Sequence, residues 1–322
     1  MSTDARGNLH RPAGSVDAGQ FTQHTNSPPE DGLVPEHDPE VVRSRRALID
    51  VVGALQEHEA ALTVLGAHAV IEMTQDTPGV PPDDSTRDGD LGVTPSLLLP
   101  TPKLAEVMTE LGYERAYGER PGSWSPIDQR DLDVHARDSI DLIAPMEVAF
   151  EEGSRRPRRA ARVGGHGDDA VSATVGTELS IIDRHRRYLR SFDDGDGVEV
   201  FVAGHAALLC AKAYKIHDRM DAKELRRNAE RLRPKDFADV YRLVLASEPA
   251  DVAAVFTEAA ATPRIDAAVS LGRDHLVDLL TEADYFAAQV ADAWQDPSRE
   301  AEFVDVITAW LEAFLASDSS TK

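Results

Sequence analysis

The chain has one cysteine, Cys210, among 322 residues, so it can form neither an internal disulfide nor a Cys-rich zinc site. That scarcity fits a reducing, cytoplasmic setting. Aromatic residues are few, at 6%, and no run approaches the roughly 18 apolar residues that a bilayer span requires. The opening MSTDARGNLHRPAGSVDAG has no apolar centre of a signal peptide, so neither export nor membrane insertion is expected. Positive charge is the minority: 34 Lys and Arg stand against 57 Asp and Glu, a net charge of −23. Such a field repels phosphate backbones at long range. It excludes bulk coating of nucleic acid and requires a local basic patch for any nucleic-acid partner.

What is present is a foldable chain, 42% hydrophobic and long enough for one large domain or two ordinary ones. Residues 1–37 are rich in Gly, Pro, Ser, His and Asp and predict a disordered tail. Asp38-Pro39 then offers a helix cap and a first-turn proline. The apolar spacing of Val41, Val42, Leu48, Val51, Val52 and Leu55 predicts a helix over about 39–58. Residues 63–73 read as a strand, a glycine turn and a short helix; 90–99 as a strand; 102–113 as a helix; and 138–146 as a strand closed by Pro145. The basic, Gly-rich stretch 155–167 reads as a loop. Alternation returns over 197–204, a helical pattern fills 205–220, and helices continue to 316 with breaks at Pro234, Pro249 and Pro263. The expected class is α+β: a mixed sheet with flanking helices over 38–203, a helical domain over 204–316 and a tail over 317–322.

Four features carry chemistry. In Thr86-Arg87-Asp88-Gly89-Asp90-Leu91, alternation along a strand puts Asp88 and Asp90 on one side. Two carboxylates so placed can share divalent cations, although a solvated acidic turn would look the same. Gly66-Ala67-His68-Ala69 places a glycine at a strand-to-helix turn, where backbone can approach a phosphate at a helix N-terminus. His68 is either a substrate contact or a structural histidine. Asp141 sits inside the apolar run Ile140-Asp141-Leu142-Ile143 and must either hydrogen-bond locally or meet a cation. In the helical half, Lys212 and Arg219 are two turns apart on one face, and Lys235-Asp236 is followed by Asp239. There Lys212 could hold triphosphate oxygens and Asp236 could orient Lys212 or a substrate hydroxyl, or the whole could be a salt-bridged helical hairpin.

In this order and spacing, the four features resemble the AbiEii type of nucleotidyltransferase, the toxin half of type IV toxin–antitoxin pairs, with the mycobacterial MenT toxins close in pattern. The resemblance spans about residues 45–246. It implies a fold similar to the DNA polymerase β nucleotidyltransferases, with a helical domain as the other wall of a nucleotide cleft. It implies Mg²⁺ held by Asp88 and Asp90, with Asp141 in the place of a third carboxylate. Nucleotide contacts would come from Gly66, Thr86, Arg87 and Lys212, and Asp88, Lys212 and Asp236 would be the catalytic set. Lys215 is a rival to Lys212. Two departures stand out: Ala67 follows Gly66 where Gly or Ser is common, and Gly89 replaces an aliphatic residue between the carboxylates.

The resemblance further implies transfer of a nucleotide from an NTP to the 3′ end of tRNA or another RNA, with growth inhibition as the outcome and a possible cognate antitoxin. Arg155, Arg156, Arg158 and Arg159, with Arg162, form the local basic patch expected to hold RNA, and Arg226, Arg227, Arg231 and Arg233 form a second cluster. The alternatives are transfer to a protein or small molecule, or a degenerate module that only binds a partner.

Overall fold

Helix α1 (Pro39–Ala54) begins as its sequence dictates: Asp38 accepts the Glu40 amide at 2.7 Å and Pro39 occupies the first turn. It stops short of residue 58 because Gln56–Ala61 tightens into a 3-10 helix. There the His58 ring binds the Pro102 carbonyl at 2.7 Å and accepts the Leu99 amide at 3.2 Å. These contacts belong to a computed structural model that describes residues 2–3, 9–10 and 37–322, apart from 82–85, 117–119, 134–135, 151–159, 194, 229–230 and 320–322.

The chain divides into two units, 1–36 and 37–322. In the first, β1 (Ser2–Thr3) pairs antiparallel with β2 (Leu9–His10); the rest of the tail expected over 1–37 lies outside the described residues, His37 excepted. The second unit is built on a mixed sheet. Its strands are β3 (Leu62–Val64), β4 (Asp88–Val93), β5 (Tyr113–Arg115), β6 (Ser123–Pro126), β7 (Ser139–Pro145), β8 (Ser172–Thr174), β9 (Arg184–Leu189) and β10 (Val198–Ala203). The spatial order is β5-β6-β7-β4-β3-β10-β9, with β8 also paired to β7. Strand β4 runs parallel to β7 and antiparallel to β3, and β3 runs parallel to β10.

Strands β3, β4, β7 and β10 fall where apolar alternation predicts them. The other four sheet strands were not anticipated, and β9 shows why: Arg-His-Arg-Arg-Tyr-Leu has no buried face until Leu189, so the sequence lacks the apolar alternation that marks a half-buried strand. Helix α2 (Gly66–Thr74) follows β3 directly, and α3 (Leu104–Glu110) buries Leu104, Val107 and Met108. Strand β4 alternates as expected. Gly89 and Leu91 are buried, while Asp88 is exposed and Asp90 half-buried on the other side.

The helical half comprises α4 (His205–Met220), α5 (Ala222–Arg227), α6 (Pro234–Ala246), α7 (Pro249–Ala260), α8 (Asp266–Thr281), α9 (Ala283–Ala293) and α10 (Glu300–Ser319). Pro234 and Pro249 start helices, and Pro263 lies between α7 and α8. Helix α10 continues to Ser319, three residues into the stretch assigned to a tail. Phe237, Tyr241, Phe256, Phe286, Phe303 and Phe314 are fully buried here, each contributing about 2–3 kcal/mol of burial. Among the described residues, no helix is long and apolar enough to cross a membrane. The class is therefore α+β, with a mixed sheet and many helices.

Candidate functional site

The parallel register of β4 with β7 sets Asp88 opposite Ser139 and Asp90 opposite Asp141. The acidic pair of one strand thus gains a third carboxylate from the next. Ser139 Oγ donates to Asp88 Oδ1 at 3.0 Å. Asp90 and Asp141 face each other, and both pay for it. Burial first, then the charge of Asp88, pushes Asp90 up to about 6. Burial first, then the charge of Asp90, pushes Asp141 up to about 7, although the hydroxyl of Ser123 opposite it on β6 draws it back. Asp141 Oδ1 is buried and has no hydrogen-bond partner among the described residues.

The turn from β3 into α2 closes over this cluster. The Leu65 amide binds the Asp90 carbonyl at 2.9 Å, and Gly66 adopts φ +62°. A Cβ at Gly66 would collide with the Asp90 carboxylate, so both the backbone conformation and the space require glycine. Gly89 has a packing reason as well. A Cβ there would come within 2.7 Å of Ile140 Cδ1 and 3.3 Å of Leu48 Cβ, so the α1 core fills the place of the missing side chain.

The basic wall comes from α4 and α6, with a pairing that differs from the expected one. Lys212 is 6% exposed and forms an ion pair with Asp239, not Asp236. Asp236 instead holds Lys215 at 2.8 Å and Arg219. Residues three apart on each helix share a face, so the actual pairing is shifted by one turn from the expected one. Burial alone would lower the Lys212 pKa, but the carboxylates of Asp239 and Asp236 outweigh it and the net shift is upward. Burial would raise Asp236, and Lys215, Lys212 and Arg219 outweigh it to hold it low. Lys215, with a side chain 42% exposed, stands at the rim; partial loss of hydration and then the charge of Lys212 lower its pKa.

The two walls meet. The charges of Lys215 and Lys212, in that order, pull the Asp90 pKa down against burial, and Asp90 in turn supports the charged form of Lys212. The early acidic couple and the late lysine–aspartate couple therefore act on one another. Arg120, just before β6, adds a cation whose field reaches Asp141.

Behind the site lies a polar joint that sequence reasoning left open for His68 and did not see for Ser44. His68 is fully buried. Ser44 Oγ lies 2.8 Å from the Thr86 carbonyl and 2.9 Å from His68 Nε2. It donates to the carbonyl, so the imidazole donates from Nε2. Burial, then Arg45 and Lys235, pushes His68 down to about 3, which keeps the ring neutral. Here His68 is a structural link between α1, α2 and the approach to β4. The signal was available: Ser44 and Arg45 occupy positions three and four after Val41, where the α1 core face should be apolar.

The remaining expected residues fall as follows. Thr86 is half-buried, with its carbonyl taken by Ser44. Arg87 is paired with Glu40. Arg155, Arg156, Arg158 and Arg159 lie outside the described residues, and Arg162 is exposed. Arg231 and Arg233 bear on Arg219, so the second basic cluster adjoins the Asp236 pair. A surface hollow lined by Phe150, Ala161, Arg162, Val163, Asp168 and Asp169 includes none of Asp88, Asp90 and Asp141.

Among the described residues, no group of three or more His, Cys, Asp or Glu side chains is gathered tightly enough to hold a metal ion by itself. Magnesium is commonly held by one or two carboxylates with water and substrate phosphates completing the shell, so this does not conflict with a two-carboxylate site. The oxygen-only donor set, the unpartnered Asp141 Oδ1 and the raised carboxyl pKa values fit a hard cation. No protein-family profile, curated protein or solved structure matches the chain.

Proposed function

We propose that the protein is a Mg²⁺-dependent nucleotidyltransferase that moves a nucleotide from an NTP to an acceptor hydroxyl, in the first instance an RNA 3′ end such as that of tRNA. On this reading it acts in the cytoplasm as a growth-inhibiting toxin with a cognate antitoxin. What supports the proposal is the β4–β7 register that sets Asp90 opposite Asp141, beneath the Gly66 turn that opens α2, with α2 packed against α4 and α6, the helices that carry Lys212, Lys215 and Asp236. The mixed sheet with a helical wall is compatible with a nucleotidyltransferase fold.

Asp88 and Asp90 would hold Mg²⁺, with Asp141 opposite. Bound there, the ion supplies neutralisation of triphosphate charge and polarisation of the α-phosphoryl group. Lys215 is the exposed cation and binds phosphate oxygens, while buried Lys212 adds fixed positive potential beneath it. The backbone at Gly66 leaves room for a phosphate against Asp90. The acceptor oxygen attacks the α-phosphorus, the bond to the bridging oxygen breaks, pyrophosphate leaves and the hydroxyl proton passes to solvent. Positioning and charge stabilisation supply the acceleration.

Asp88 is exposed, so Asp88→Ala leaves the fold intact and isolates the chemistry. Incorporation of labelled NTP into total RNA, and growth arrest on expression, are both expected to vanish in the variant. Retention of either overturns the proposal, and label appearing in protein instead of RNA moves the acceptor to a different class.

A further inference from the structure

The strand order ends at β9, whose pairing is antiparallel to β10 over all six residues. Its outer edge, from His185 to Leu189, shows no backbone hydrogen bond to any other described segment. His185, Arg186, Arg187 and Tyr188 are all exposed, with 51% exposure at Tyr188. Within 184–190, Arg184, His185, Arg186, Arg187 and Arg190 make five basic residues of seven, in a chain of net charge −23. A free edge presents unpaired N–H and C=O groups at strand spacing, which a peptide backbone satisfies in register.

The inner side already displays the side-chain pairing that such an addition would use. Glu199 on β10 reaches Arg186 at 2.9 Å, diagonally across the ladder, and Glu59 reaches the same guanidinium at 2.9 Å. Arg187 and Arg190 have no ion pair among the described residues. Opposite-charge cross-strand pairs stabilise a sheet and like charges oppose it. A second copy of β9 would set arginine against arginine, which disfavours self-pairing. A nucleic-acid strand fits less well. It cannot satisfy the backbone row, and Arg184 and Arg186 are already committed to the Ala60 carbonyl, the Phe201 ring, Glu59 and Glu199. Two unengaged arginines offer few phosphate contacts against the repulsion of the whole molecule.

We propose that the outer edge of β9 is the docking site for an acidic, extended peptide segment of a partner protein, which joins the sheet as an added strand. A carboxylate of that segment meets Arg187 on one face of β9, an apolar neighbour packs on Tyr188 on the other face, and a carboxylate beyond the end of the strand meets Arg190. The surface does not depend on the proposed chemistry of Asp88 and Asp90.

The test uses the full-length chain and a fluorescently labelled synthetic peptide alternating Glu and Val, read by anisotropy. Binding in roughly the 10–100 µM range is expected, weakened at least about tenfold by the double change Arg187→Glu and Arg190→Glu. Both positions are exposed, and an unchanged melting temperature verifies the variant's fold. A peptide of the same sequence, N-methylated at alternate amides, keeps the charge but loses the ladder and is expected not to bind. Equal binding of the methylated peptide, equal binding of a Lys-Val peptide, or no binding overturns the proposal. A single-stranded oligonucleotide that binds in preference to the peptide, and is released by the same double change, overturns it in favour of a nucleic-acid surface.

Discussion

Asp141→Asn should make the metal-free protein more stable above neutral pH, an unusual direction for a change at a buried polar site. In the unfolded chain this carboxyl ionises near 3.8, and in the folded chain at about 7. The folded state therefore binds the proton more tightly. Below the unfolded value the ionisation penalty is absent; it grows as pH rises and is complete above the folded value. A rise of about 3 in pKa, at about 1.36 kcal/mol each, sets an upper bound of about 4 kcal/mol. Asp90 and Asp141 share their protons, and Asp141 is partly exposed, so about 2–3 kcal/mol is expected from the substitution. For a chain of this size that is about 5 °C in melting temperature. The assay is thermal or urea denaturation of wild type and variant in chelator at about pH 5 and about pH 8. Wild type should lose stability between the two, and the variant should lose less, surpassing wild type at the higher pH. Equal pH profiles, or a variant weaker than wild type at the higher pH, would refute the claim that burial and Asp90 hold this carboxyl high.

The two lysines of α4 should separate by phenotype. Lys212→Met strands Asp239 in a buried setting and should cost about 3–5 kcal/mol of stability in urea denaturation, whereas Lys215→Met, at the rim, should leave stability within about 1 kcal/mol and weaken Mg²⁺-dependent NTP binding about tenfold by calorimetry. Equal effects on both properties would show that the helix face has no inner and outer lysine. Gly66→Ala forces a side chain into a φ of +62° and onto the Asp90 carboxylate; a loss of at least about 1–2 kcal/mol is expected together with loss of NTP binding, and an unchanged variant would contradict the described turn.

What the sequence made legible, and what it hid, follows from how each element is buried. Strands β4, β7 and β10 and helices α1, α2 and α4 each carry enough apolar residues at their own period to be read directly. Strands β5 and β8 have three residues each, and β9 is polar along four successive positions, so no period survives in them. The co-facing of Asp88 and Asp90 is readable because alternation is a local property. Asp141 is readable as a misplaced charge, but not as the partner of Asp90, since register between β4 and β7 is a tertiary fact. Which lysine meets which aspartate is hidden for a related reason. Lys212 and Lys215, like Asp236 and Asp239, lie one turn apart on their helix faces. The observed pairs run antiparallel, and a slide of three residues, about 4.5 Å, between α4 and α6 would set Lys212 against Asp236 instead.

The two walls of the site differ in how their charge is balanced, and the difference identifies the side that needs a ligand. On the helical wall, Lys212 is matched by Asp239, and Lys215 and Arg219 by Asp236; the net shifts of Lys212 and Asp236 favour the ionised forms. That wall has each of these cations paired and keeps one positive charge in excess, so it would be stable with nothing bound. On the sheet wall, Asp90 and Asp141 are both shifted toward the neutral form, and an Asp141 oxygen is buried without a donor. The lysines that soften this strain are already engaged by Asp236 and Asp239, so they cannot close onto Asp90 without uncovering buried carboxylates of their own. The surplus of negative charge therefore stays on the sheet, where protons at low pH or a hard cation at neutral pH can relieve it. A cation that did so would sit between carboxylates and fixed lysines, where a triphosphate completes its shell from one side and meets positive charge on the other.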